Sequence, residues 1–599
     1  MPKGEAVSAQ RADPKAQFLR EMVLRRDEPY DPDAIRREYF DRLAHSLMGR
    51  MGLPISPPAL GLAYADWLAH LAVSPGKQAE LATKIARKWV RFANYATRLA
   101  MAPDFERCIE PLPHDKRFRD EAWTQFPFNL ISQSFLLCQQ WWHGATTHVS
   151  GVTRQHENVV NFVARQWLDM LSPSNFLLTN PEALRRTYKT GGLNLALGWW
   201  NFLEDSARAA EGKKPVGADE FRLGLEVATT PGKVVFRNRL IELIQYEPTT
   251  GRVYAEPLLI VPAWIMKYYI LDLSPQNSLV RYLLEQGFTV FMISWKNPGP
   301  EDRELSMEDY LNLGVRAALQ TIAALLPQKK IHAVGYCLGG TLLAIAAAAM
   351  GRDRDERLAT LTLLAAQTDF TEAGELTLFV NESQLAFLDD IMWAHGYLET
   401  KQMAGAFQLL RSNDLIWSYA LKCYLLGERA PMSDLMAWNA DATRMPYRMH
   451  SEYLRSLFLN NDLAEGRLHI DGKAVALHNI HAPIFAVGAE RDHVAPWRSV
   501  FKIHLLTETD VTFLLASGPH NAGIVSPPEA HRGGYRVLTS QAEDPYLDPA
   551  DWREIAAKRE GSWWPEWVAW LDARSTPGAA PPPMAKALCS APGTYVLQQ

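Results

Sequence analysis

The sequence predicts an α/β protein. A mainly parallel sheet, covered by helices on both faces, follows a helical domain and is interrupted by a helical insertion. Three observations carry this. From about residue 220, near-continuous apolar runs such as "PLLIVP" (257–262) and "FTVFMISW" (288–295) alternate with helical stretches. Runs of that kind mark strands buried on both faces. Before residue 215 the apolar residues recur instead at helical spacing. Between about 375 and 465 the alternation stops, and a stretch rich in Trp, Tyr, Leu and Met stands between two predicted strands.

Residues 1–30 are charged and lack periodicity, so they are expected to be mobile. The helical domain is placed at 31–215. Within it Leu81, Ile85, Trp89, Phe92, Ala96 and Leu99 read as the apolar stripe of one helix, with Lys84, Arg87, Lys88, Arg91 and Arg98 on its solvated faces. "EGKKPVGAD" (211–219) reads as a linker. The sheet domain is placed at 220–573. "KVVFRN" and "IELIQYEP" predict a hairpin, and "KIHAVGYC", "ATLTLLAAQ", "PIFAVGAE" and "VTFLLASG" predict further strands. The insertion at about 375–465 reads as a cap. Its aromatics Trp393, Trp417, Tyr419, Tyr424 and Trp438 would pack in its core or line a channel. Residues 574–599, opening "RSTPGAAPPPMAKA", read as a loose tail. No internal repeat is visible.

Composition excludes several classes. The 599 residues are 47% hydrophobic and 22% charged, with a net charge of -5, so no global field favours nucleic acid. Cys108, Cys138, Cys337, Cys423 and Cys589 are scattered, with no CxxC pair. That argues against a disulfide framework or a zinc site and fits a reducing compartment. The N-terminal "MPKGEAVSAQRADPKAQ" has no apolar core of a signal peptide, and the apolar stretch from Thr341 to Met350 is too short to span a bilayer. A cytoplasmic protein with no transmembrane segment is expected. The 19 tryptophans include pairs at 141–142, 199–200 and 563–564. They read as core packing, with an amphipathic surface facing a greasy phase as the other possibility.

"GYCLGG" (335–340) joins a predicted strand to a predicted helix. Gly335-Tyr336-Cys337-Leu338-Gly339 fits the G-x-nucleophile-x-G turn of the α/β-hydrolase fold, whose strained backbone needs small neighbours. The fold class is thus an α/β-hydrolase fold with an inserted helical cap (lid). A buried cysteine is more often a small hydrophobe, so partners must be sought. The turn sets Cys337 at a helix N-terminus, where the dipole favours thiolate, and aims the Leu338 backbone N–H at a developing oxyanion. The fold orders its triad as nucleophile, acid, histidine, each in a loop after a strand. Asp492 follows "PIFAVGAE" and His520 follows "VTFLLAS". Asp369 is a rival acid and His493 a rival base.

These blocks resemble the poly(3-hydroxyalkanoate) synthases, most closely the class I members. The resemblance covers roughly 110–573. It rests on "SPSNFLLTNPEALRRTYKTGG", "KYYILDLSPQNSLVRYLLEQGFTVFMISWKNP", "GYCLGGT", "NDLIWSYALKCYLLG", "AWNADATRMP", "ERDHVAPW" and "GSWWPEWVAWL". It implies Cys337 as nucleophile, Asp492 as acid and His520 as base, with the backbone N–H of Ile265 joining Leu338 in the oxyanion hole. It implies (R)-3-hydroxyacyl-CoA substrates, a growing polyester chain, granule association and a homodimer. No cofactor or metal is expected, coenzyme A being part of the substrate and a product. A thioesterase or intracellular depolymerase of the same fold would use the same triad, and a granule scaffold would need none of it. Pro519 and Asn521 beside the histidine, and Trp264 in the oxyanion loop, depart from the common family pattern.

Overall fold

Strands buried on both faces need apolar runs, and each run named above forms one. The computed structural model describes residues 32–50, 55–101, 106–113, 115–530 and 533–599. The segment 1–30, expected to be mobile, lies outside the described residues.

One compact unit gathers 218–400 and 433–599 with the helix Pro32–Arg50. Its sheet has 11 strands. Across it they begin at Ala557, Gly534, Val511, Ile484, Leu358, Ile331, Leu258, Val290, Ile241, Gly232 and Cys589. The central strands, from Val511–Ala516 to Val290–Trp295, run parallel. The outer ones are antiparallel, and the predicted hairpin is the pair Gly232–Arg237 and Ile241–Tyr246. Register aligns the carboxyl ends. Val261 lies opposite Gly335, Gly335 opposite Leu363, and Ala489 opposite Ala516. Loops leaving these strands therefore meet at one edge, where a parallel sheet assembles its sites.

The tail is not loose. Cys589–Ser590 adds an antiparallel strand beside Gly232–Arg237, and Val596 is buried. The cause is the Glu242 carboxylate, fully buried on the neighbouring strand. It pairs with Arg237 and accepts hydrogen bonds from the backbone N–H groups of Thr594 and Tyr595 at 2.8 and 3.0 Å. A buried charge needs such donors, and a Pro-rich composition does not reveal that need. Two further strands, Gly534–Ser540 and Ala557–Glu560, extend the opposite edge beyond "VTFLLASG". The second is exposed throughout and has no apolar signal.

The second unit gathers residues between 54 and 217 with 401–432. The boundary at 217/218 falls within the expected linker, whereas the helix Pro32–Arg50 and residues 401–432 of the insertion group with the other unit. The first helix joins the sheet unit, where Tyr39 meets Trp393 edge-on and His45 Nδ1 lies 2.7 Å from Asp390. Residues 401–432 of the insertion join the helices. There Asp205 accepts hydrogen bonds from the hydroxyls of Tyr419 and Tyr424 and pairs with Arg429 at 2.8 Å. The block "TNPEAL" is a helix start: the Asn180 side chain accepts from the N–H groups of Glu182 and Ala183, and Pro181 occupies the first turn.

The helix Pro75–Met101 departs in part from expectation. Leu81, Phe92, Ala96 and Leu99 of the expected stripe lie on its less exposed face, together with Lys77, Lys84, Lys88 and Tyr95. Ile85 and Trp89 are 42% and 66% exposed. The tryptophan pairs also divide. Trp563 and Trp564 are buried in the sheet unit, whereas Trp199 and Trp200 are exposed on the helix Leu193–Ala210. Among the described residues no helix is long and apolar enough to cross a membrane.

Candidate active site

Cys337 follows the strand Ile331–Tyr336 and precedes the helix Leu338–Arg352. Its backbone has φ 52° and ψ -124°, left-handed and strained for a residue with a side chain. The flanking glycines make that turn possible. A Cβ on Gly335 would stand 2.4 Å from the Gly340 Cα, and one on Gly339 would stand 2.2 Å from the Val261 carbonyl oxygen. The Cys337 N–H donates to the Leu364 carbonyl at 2.9 Å, tying the turn to the neighbouring strand.

Asp492 and His520 leave the adjacent strands Ile484–Ala489 and Val511–Ala516. His520 Nδ1 lies 2.6 Å from Asp492 Oδ2, and both residues are buried. The other carboxylate oxygen accepts the backbone N–H groups of Val494 and Ala495 at 2.8 and 2.9 Å. This acceptor-only carboxylate assigns the proton to Nδ1 and leaves Nε2 as the unprotonated nitrogen of the ring. Burial works against charge on His520. The Asp492 carboxylate and the Cys337 sulfur outweigh it and hold the imidazole well above its ordinary value.

The expected acid and histidine thus meet. Asp369 is engaged elsewhere, by the Thr371 hydroxyl and by Lys502 at 3.3 Å. The imidazole paired with Asp492 is that of His520, not of His493. Leu338 is the first residue of its helix, and Ile265 lies in the loop after the strand Leu258–Val261. Among the described residues neither backbone N–H meets a protein acceptor. The Ile265 carbonyl accepts from the Thr443 N–H at 3.1 Å, which fixes that loop.

Other residues shape the site through contacts that the sequence does not reveal. The Tyr336 hydroxyl donates to Asn521 Oδ1 at 2.6 Å, and its ring centroid lies 5.7 Å from that of His520. Asn521 reaches on to Asn439 at 3.3 Å, so this departure from the family pattern is built into the packing. The Pro519 carbonyl accepts the Gly523 N–H at 2.7 Å and closes the histidine loop. Trp563 and Trp564 hold that loop from below, their indole N–H groups donating to the carbonyls of Gly523 and Ile524 at 3.0 Å each. Trp264 sits among Trp295, Tyr310 and Tyr453. Of the insertion aromatics, Trp393 and Trp438 are core residues, Trp438 donating to the Lys267 carbonyl at 2.8 Å.

Fold and site together define an α/β-hydrolase-type protein with cysteine at the nucleophile position. The α/β hydrolase fold model matches residues 256–516. Models described as the N-terminus and the N-terminal region of poly-beta-hydroxybutyrate polymerase match 114–283 and 36–77. The chain is 40% identical over 541 residues to the poly(3-hydroxyalkanoate) polymerase of Methylorubrum extorquens, covering 88% of each chain. It is 34% identical over 556 residues to the corresponding polymerase subunit of Cupriavidus necator, covering 90% of this chain and 91% of that one. A Rhizobium etli relative of the same description is 39% identical over 505 residues, covering 82% of this chain and 78% of that one. The chain belongs to the poly(3-hydroxyalkanoate) polymerase family, and it is an enzyme of the acyltransferase class.

Proposed function

We propose that this chain polymerises (R)-3-hydroxyacyl-CoA thioesters into a polyester and releases coenzyme A. The observation that carries the reading is a strained, turn-held Cys337 beside a buried His520–Asp492 pair in a member of this family. His520, made more basic by Asp492, takes the thiol proton as the Cys337 sulfur attacks the thioester carbonyl. The N–H groups of Leu338 and Ile265 receive the charge developing on oxygen. The carbon–sulfur bond to coenzyme A breaks, and coenzyme A leaves with the proton from His520. The acyl group is kept as a new thioester on Cys337. The 3-hydroxyl of the Cys337-bound acyl group then gives its proton to His520 and attacks the carbonyl of the next acyl-CoA, so an ester bond forms, the carbon–sulfur bond to coenzyme A breaks, and the departing thiolate takes the proton back from His520. Asp492 orients the imidazole in this scheme. Repetition extends the chain.

The apolar stripe Leu193, Leu197, Trp200 and Leu203 supports association with a polyester granule. These residues recur at helical spacing and are exposed. A homodimer accompanies the family resemblance, and sedimentation of the purified chain tests it.

The deciding experiment supplies (R)-3-hydroxybutyryl-CoA and follows thiol release together with the fate of the acyl group. Thiol release with growing insoluble polyester is expected. Release with only free 3-hydroxybutyrate would mean a thioesterase. Absence of release with this and longer acyl chains would overturn the enzymatic assignment of the site.

A further inference from the structure

The helix Pro75–Met101 buries the wrong residues for a purely structural helix. Trp89 is 66% exposed while Lys88 is half-buried beside the helix Phe128–Thr146, and the Lys84 side chain is as exposed as Ile85, at 43% and 42%. Desolvating an ammonium costs free energy that turning Ile85 and Trp89 inward would avoid. Places where local pattern and fold disagree in this way tend to be functional.

Between the two helices lies a cavity of about 570 Å³, within the size range of small-molecule sites. Lys77, Lys84, Arg87, Lys88 and Arg91 line it, with Glu80 as its one carboxylate. Glu80 is shared by Lys77, at 3.5 Å, and Lys84. Lys88 is met by the neutral Gln140 side chain. Arg87 and Arg91 have no ion-pair partner among the described residues. The opposite helix offers His143, Gly144 and Thr147 but no acid. Burial and the nearby Arg91 and Lys84 push the Lys88 ammonium below its ordinary value, the mark of cations crowded without a counter-charge.

We propose that this groove binds a small molecule carrying two or more phosphate groups, such as a nucleoside diphosphate or a larger conjugate of one. Two guanidinium forks suit adjacent phosphates, which accept bidentate hydrogen bonds, and the lysines add point charge. The limited volume, about 570 Å³, favours a small ligand over an extended polyanion. The site is distinct from the Cys337 centre and does not depend on the reaction proposed there.

The test is calorimetric titration of the full chain with ADP and, separately, pyrophosphate and coenzyme A, with inorganic phosphate as the monovalent comparison. Saturable ADP binding that weakens with salt is expected. Arg87→Glu combined with Arg91→Glu should weaken it at least tenfold, and Cys337→Ala should leave it unchanged. A second variant guards against misfolding. A Cβ on Gly144 would lie 3.6 Å from Lys84 Nζ, an ordinary contact, so Gly144→Asp places a carboxylate in the groove and should also weaken ADP. No ADP binding, or binding undiminished in both variants, would overturn the proposal. Binding of an oligonucleotide but not of ADP would overturn it too, by making the groove a track for a long polyanion.

Discussion

Two tryptophan pairs written identically in the sequence have opposite fates. Trp563 and Trp564 are each 1% exposed, and their indole N–H groups hold the carbonyls of the His520 loop. Trp199 and Trp200 are 61% and 68% exposed on a helix of the other unit. The first pair shows what an active-site loop requires. A tight turn that carries a buried imidazole leaves carbonyl groups without partners, and indoles supply both the donors and the apolar support. Among the described residues the second pair meets no carbonyl. Trp200 extends a row of exposed leucines, as a surface meeting an apolar phase would, while Trp199 stacks on Phe202 with ring centroids 5.5 Å apart. One unit fixes a few atoms in place; the other presents a face.

The comparison breaks most readily at the fixed atoms. Cys337→Ala removes the sulfur, and coenzyme A release should fall on the order of 10^4-fold or more while the fold persists. Circular dichroism and a thiol-release assay on the same sample check both halves. Unchanged release would leave the strained turn without a catalytic role.

Asp492→Asn comes next, with kcat falling on the order of 10^3- to 10^4-fold because the imidazole loses its tautomer and its counter-charge. It also changes the pH profile. The carboxylate helps raise His520, so without it burial prevails and the histidine limb of kcat/KM should move to lower pH. The stability sign follows. A histidine raised in the folded state stabilises fully below its unfolded value near 6.5, and loses that contribution as pH rises through the folded value. The Tm gap between wild type and variant should therefore narrow from pH 6.5 upward. A gap that widens would refute the assignment of charge.

Trp564→Ala tests the support rather than the chemistry. Truncating a fully buried tryptophan costs about 3–5 kcal/mol, and here it also frees the Ile524 carbonyl. A lower denaturation midpoint should accompany a loss of kcat. A stability loss with kcat intact would mean that the histidine loop holds itself.

The parts of this design that were legible in the sequence are those whose signal is local. The central strands announce themselves as apolar runs because both faces are covered. The nucleophile turn is legible because Gly335 and Gly339 are demanded by backbone contacts within a few ångströms. Asp492 and His520 are legible because the fold orders its loops along the chain. What stayed hidden depends on distant partners. The tail strand exists because Glu242, some 350 positions earlier, needs donors. Asn521 matters through Tyr336 and Asn439, which no spacing relates to it. The helix Pro75–Met101 misled in part: Leu81, Phe92, Ala96 and Leu99 keep to the covered face, yet Trp89 is exposed and Lys88 is half-buried. Periodicity reports which face is greasy, not which face a neighbouring helix or a ligand will cover.

The exposed tryptophan pair carries the mildest consequence for the fold. Replacing Trp199 and Trp200 together by alanine should shift the denaturation midpoint by no more than about 0.5 kcal/mol in free energy, because exposed side chains away from caps and turns contribute little. Turnover of a soluble thioester should stay within about twofold, since neither residue belongs to the sheet unit that carries Cys337. Partition onto polyester particles should nevertheless fall, because each exposed indole withdraws apolar area from water when it meets such a surface, at roughly 25 cal/mol per Å². Co-sedimentation with preformed particles reads this directly. A large stability loss would mean that these side chains support their own unit instead of a greasy phase. Undiminished co-sedimentation would move the site of attachment elsewhere on the chain.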